Sequence, residues 1–118
     1  MKPVIVTVSC PSANEAAAVV REVVRQRLAA AGQTWPITSV FWWDGELVNR
    51  QEHIVLFKTV EARVDRVMEV IGATHSYDTP SIAVVPVARV GPGVESWLGD
   101  STQQMRGTDR DSTVPELV

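Results

Sequence analysis

One cysteine, two histidines and one tyrosine are the side chains of this 118-residue chain best suited to ligation or acid–base work. Cys10 closes the apolar run "KPVIVTVSC", and His75 and Tyr77 stand together in "HSYDTP", residues 75–80, with Asp78 and Pro80. A thiolate, an imidazole and carboxylates are the donors that hold borderline and soft divalent cations. Cys10, His53, His75, Asp78 and Glu61 are therefore the candidate ligands, and none shows the tight spacing of a finger or ribbon. Each also has a plainer role. A free cysteine at a strand end is often a small buried hydrophobe. His75 suits a hydrogen-bonded turn at the negative end of a helix, and His53 suits a solvated hairpin. Trp42 and Trp43 alternate across a strand, so one faces the body and the other the opposite side. Packing is their first use and stacking on a ligand the second.

Other chemistries lack their residues. The loop after the first strand, "SCPSANE", has neither the arginine of an acylphosphatase-like phosphate cradle nor a second thiol for a CxxC copper carrier. "HIVLFKT" does not supply the basic aromatic pattern of an RNA-recognition strand. There is no phosphate-binding glycine loop and no nucleophile elbow. A net charge of -3 argues against a partner held by phosphate contacts. With 45% hydrophobic and 21% charged residues, the composition is that of a soluble globular domain. No apolar run approaches the ~20 residues of a membrane span. The expectation is a cytoplasmic protein with no membrane and no nucleic-acid partner. A single cysteine excludes an internal disulfide framework.

The elements that must position these residues read as follows. Residues 2–10 are β-branched and form a buried first strand. Residues 11–32 form a helix. Ser12 and Glu15 have capping-box spacing, Ala16, Val20, Val23, Val24 and Leu28 recur on one face, and Gly32 suits the left-handed position after the end. Residues 34–59 are a long hairpin around Asp44-Gly45, two residues that accept positive φ. Its second arm is polar over 46–53, so that part projects from the body. Residues 60–75 form a second helix with Val60, Val64, Val67, Met68 and Ile71 on one face. Residues 80–90 are a last strand, whose Pro86 must lie at an edge, gap or bulge. Residues 91–104 contain a short helix anchored by Trp97 and Leu98. Residues 105–118 form a polar, aperiodic tail outside the 1–104 domain.

The order β-α-β-β-α-β, then a helix, predicts an α+β, ferredoxin-like sandwich with both main helices on one sheet face. The other face is left for solvent, ligand or a second subunit. Four tryptophans and a long apolar hairpin favour the subunit.

Several segments, taken in order, resemble the CutA family, the divalent-cation-tolerance proteins. Arg27-Leu28-Ala29-Ala30 is similar to that family's "RLAA", "ITSVFWWDGEL" (37–47) to its aromatic "WW-[ED]-G-K" hairpin, and Lys58-Thr59 to its "KT". "HSYDTP" resembles "HPYE-x-P", and "SWLGDS" (96–101) the closing "DWI-x-x-S". The likeness covers about residues 3 to 102. It implies a ferredoxin-like protomer, a tight homotrimer with strands paired between subunits, a link to copper and other divalent cations without enzymatic activity, and a suggested PII-like signalling role. In the alternative, PII-like reading, a small anion or nucleotide occupies the cleft between subunits. Ala31 stands where members often carry a cysteine, Ser76 where they carry proline, and Glu46 where they carry lysine, and "WPITS" lacks the glycine of "PGITS". Cys10 does occupy a cysteine position of some members. The resemblance thus makes Cys10 and His75 the metal ligands, and Tyr77, with Trp42 and Trp43, the lining of a ligand cleft. Copper or another divalent cation is the expected, non-obligatory cofactor.

Overall fold

A computed structural model describes residues 1–103 of the chain. The expected tail at 105–118, and residue 104 of the expected domain, lie outside the described residues. The elements run β1 (Pro3–Cys10), α1 (Ala13–Arg25), β2 (Ala31–Trp43), β3 (Glu46–Val60), α2 (Val64–Thr74), β4 (Ala83–Pro86) and α3 (Val94–Ser101), with a 3-10 turn at Glu61–Arg63. The sheet order is β2-β3-β1-β4, and every neighbouring pair is antiparallel. This is the α+β, ferredoxin-like arrangement that the element order predicts.

Alternation in β1 explains its place. Val4, Val6, Val8 and Cys10 are buried and the residues between them are not. In register, Cys10 lies opposite His53, Val8 opposite Val55 and Val6 opposite Phe57. Directly opposed residues share a face, so this set faces the helices. There it packs with Ala16, Val19 and Val23 of α1 and with Val67, Val70 and Ile71 of α2. Each fully buried Val or Phe contributes roughly 1.5–3 kcal/mol. Glu52 and Arg50 fall on the opposite face of β3.

The hairpin is set by register. β1 pairs with β3 only from Val60 to His53, so β3 residues 46–52 pair with β2 alone. That half of the hairpin projects beyond the body, as its polarity predicts. The two-residue turn has positive φ at Asp44 (50°) and Gly45 (76°), the combination that matches strand twist.

Several boundaries differ from the sequence reading. α1 ends at Arg25, not near Gly32, and the left-handed residue is Arg27 (φ 59°). The "RLAA" segment leaves the helix because β3 captures it. Thr59 Oγ1 donates to Leu28 O at 2.6 Å, and Ala30 N donates to Lys58 O at 2.9 Å. Leu28 is buried, so it extends the helical period although it lies past the helix. Gly32 belongs to β2, where a Cβ would meet Val20 Cγ1 at 2.7 Å and Phe57 Cε1 at 3.0 Å. Val60 closes β3 and does not start α2. Met68 is partly exposed, and in α3 Leu98 is the anchor while Trp97 is 42% exposed. The last strand shortens to four residues at the sheet edge, ending on Pro86, where a missing donor costs least.

Candidate metal centre

Three elements end at one corner of the molecule. Cys10 is the last residue of β1, Glu15 lies in the first turn of α1, and His75 is the C-cap of α2. Ser12 caps α1 by accepting from Glu15 N at 3.1 Å. The return half of the expected capping box is not made. Instead the Glu15 carboxylate turns across the helix end toward the second crossover. One ligand atom from each of Cys10, Glu15 and His75 lies within 4.8 Å of the other two. Cys10 and His75, singled out from the sequence, are thus brought together, and Glu15 joins them.

His75 is tied down on both nitrogens. Its Nε2 is 2.7 Å from the Ser9 carbonyl. A carbonyl only accepts, so Nε2 carries the proton and donates. Nδ1 is then the lone-pair nitrogen, and the Tyr77 N–H donates to it at 3.0 Å. Glu15 Oε2 stands 3.5 Å from the same Nδ1 and accepts from Ser76 N at 3.3 Å. A ring N–H donated to a backbone carbonyl is also how metal-bound histidines are oriented. Bonds of roughly 2.0–2.3 Å place donors roughly 3.3–3.8 Å apart around a tetrahedral cation, which the Nδ1–Oε2 separation matches. Burial, then the Glu15 and Glu52 carboxylates, pushes the Cys10 thiol up to about 11. The carboxylates of Glu15 and Glu52, which add to the effect of burial on the thiol, give the corner a negative field that favours a cation. The donor set of thiol, imidazole and carboxylate fits a borderline divalent ion.

Tyr77 links this corner to the hairpin. Its ring lies 4.9 Å from that of His75. Its hydroxyl accepts from Arg50 Nη1 at 2.6 Å and donates to Glu52 Oε2 at 3.1 Å. Burial raises the phenol above its ordinary value, with the bond to Glu52 adding and the bond to Arg50 opposing. A cavity of about 870 Å³ opens here, with Tyr77, Arg50, Glu52, Trp42 and Trp43 in its walls. Among the described residues, neither tryptophan is packed into the core. Trp42 is 72% and Trp43 59% exposed, because the hairpin tip lies beyond the part of the sheet that β1 and the helices cover.

The remaining candidates are not brought into the cluster. Glu61 is exposed and pairs with Lys2 at 3.6 Å. Asp78 is exposed at the cavity wall. His53 is not a solvated hairpin residue. It lies on the helix-facing side opposite Cys10, and its Nδ1 is buried without a hydrogen-bond partner among the described residues.

The sequence profile of the CutA1 divalent ion tolerance protein matches residues 4–101, which hold the whole corner and the hairpin. The chain belongs to the CutA1 family. It is 32% identical over 99 residues to the divalent-cation tolerance protein CutA of Thermus thermophilus, covering 83% of this chain and 96% of that one. It is 29% identical over 96 residues to the CutA of Archaeoglobus fulgidus, covering 81% and 94%. Among solved structures, the Thermus thermophilus protein superposes with a TM-score of 0.82 at 31% identity, covering 86% of this chain and 99% of that one. CutA1 from Oryza sativa superposes with a TM-score of 0.84 at 27% identity, covering 89% and 97%. Within this CutA1 fold, three residues of the corner and the cavity lie outside the candidates read from the sequence. Glu15 was absorbed by its capping spacing. Arg50 and Glu52 were visible only as a period-two polar pair in a polar arm.

Proposed function

We propose that this CutA1 chain is a non-enzymatic, trimeric divalent-cation-binding protein that holds copper or zinc through Cys10, Glu15 and His75. The convergence of these three donors within 4.8 Å carries the reading. When bound, the cation supplies a charge that replaces the thiol proton. Cys10 gives up that proton, Glu15 turns a carboxylate oxygen inward, and His75, oriented by Ser9 O, offers Nδ1. The trimer is supported by exposed apolar surface. Val40, Trp42, Trp43 and Leu47 crowd the projecting hairpin, and Val84 and Val85 lie on the β4 edge. Exposed edges of this kind invite strand pairing with another chain.

Calorimetric titration of Cu(II) and Zn(II) into wild type, Cys10→Ser, Glu15→Gln and His75→Ala tests the site. Each loss of a ligand is expected to cost at least about tenfold in affinity, since even outer-shell changes cost 10–100-fold. Wild-type affinity in all three variants rejects these residues as the site. Light scattering at micromolar concentration is expected to give a trimer mass, and a monomer mass rejects the assembly.

A second reading rests on the cavity. Arg50 offers a cation there, and Trp42, Trp43 and Tyr77 offer aromatic faces, the components that a PII-like site for a small anion or nucleotide would use. A thermal-shift panel of ATP and small anions separates it from the metal reading, because only a bound ligand raises the melting point.

A further inference from the structure

Two consecutive backbone N–H groups engage two of the three candidate donors. Ser76 N donates to Glu15 Oε2 and Tyr77 N donates to His75 Nδ1. These are the two acceptor atoms that face each other at 3.5 Å. Side by side without a positive group, a carboxylate oxygen and an imidazole lone pair repel. The two N–H dipoles supply the missing positive charge. They also fix the loop that carries Tyr77, whose hydroxyl is held between Arg50 and Glu52 on the hairpin.

The two acceptors differ in capacity. A carboxylate oxygen can serve a cation and a donor together. A neutral imidazole has one lone pair, and here it is on Nδ1, because Nε2–H is committed to Ser9 O at 2.7 Å. The Nδ1 lone pair cannot bind a cation and accept from Tyr77 N–H at once.

We propose that the 75–77 turn is a latch that stands in for the metal, so that cation binding at His75 Nδ1 releases the Tyr77 backbone and loosens its hydroxyl from Arg50 and Glu52 on the hairpin. This rests on the metal site described above and adds its readout. Metal occupancy at the helix-facing corner is thereby reported on the opposite sheet face, where Arg50, Glu52 and the exposed Trp43 line the cavity. The coupling is reciprocal. Whatever holds Tyr77 against Arg50 and Glu52 weakens cation binding, and whatever weakens that hold strengthens it.

Zinc, which is diamagnetic, allows both halves to be followed on the full chain. Calorimetry gives the affinity, and NMR hydrogen exchange follows the Tyr77 amide. Saturating zinc is expected to speed exchange of that amide by about tenfold or more, as loss of a native hydrogen bond exposes it. Tyr77→Phe keeps the backbone N–H and removes the hydroxyl anchors. It is expected to bind zinc roughly two- to tenfold more tightly, the worth of one net hydrogen bond. Zinc binding that leaves the Tyr77 amide as protected as before overturns the latch and leaves the metal site standing. So does a Tyr77→Phe affinity equal to or weaker than wild type. Absence of zinc binding in wild type removes the metal site itself, and the latch with it.

Discussion

Cys10 gives the most direct quantitative test of the corner. Its side chain is fully buried. Burial first, then Glu15 and Glu52, raises its thiol from 9.0 to about 11. Between those two values the unfolded chain has shed a proton that the folded chain keeps. Stability is therefore fully present below the unfolded value and is lost as pH rises through the window. The gap from 9.0 to about 11, at about 1.4 kcal/mol per pH unit, sets the loss at about 3 kcal/mol. Tyr77 is shifted in the same direction, so the thiol must be isolated by difference. Urea midpoints are measured from pH 7.5 to 11 at fixed protein concentration for wild type and Cys10→Ala. The variant is expected to start lower, by about 1 kcal/mol for the lost sulfur packing, and to fall less steeply above pH 9. Thiolate absorbance of the folded wild type is expected to rise with a midpoint near 11. Parallel stability curves, or a thiolate midpoint near the ordinary 9.0, refute the burial and the negative field assigned to Cys10.

The same thiol predicts proton-coupled metal binding. Calorimetry in two buffers of different ionisation enthalpy is expected to show about one proton released per zinc, with affinity rising roughly tenfold per pH unit while the thiol stays protonated. Gly45→Val is expected to cost about 1–2 kcal/mol, because a β-branched residue is strained at positive φ. Glu46→Ala, on an exposed arm, is expected to change stability by less than about 0.5 kcal/mol, and equal melting points for the two variants contradict the turn. Gly32→Ala is expected to lose about 1–3 kcal/mol by overpacking against Val20 and Phe57, read as a lower urea midpoint, and an unchanged midpoint shows that those side chains yield.

What the sequence reveals and what it hides separate along one physical line. Strand alternation in "VIVTVSC", the Asp-Gly turn and the polar 46–53 arm are local signals, and the fold follows them. The boundaries it misplaces are decided at long range. Leu28 keeps the helical period, yet the helix has already ended, because the Leu28 carbonyl accepts from the buried Thr59 hydroxyl of β3 at 2.6 Å and the next residues pair with that strand. Val60 keeps the period of α2 but pairs with Pro3 as the end of β3. The site divides in the same way. Cys10 and His75 stand out because their types are rare in this chain, and the topology brings the end of β1 to the end of α2. Glu15 is common in type and its spacing reads as a cap. Only the packing of α1 against α2 shows that its carboxylate faces His75. A capping residue at a helix start has a free carboxylate whenever the reciprocal bond is not made. Here that carboxylate accepts from the Ser76 N–H and lies 3.5 Å from the His75 Nδ1, so one local choice at the start of α1 brings a third donor to the corner that Cys10 and His75 already share.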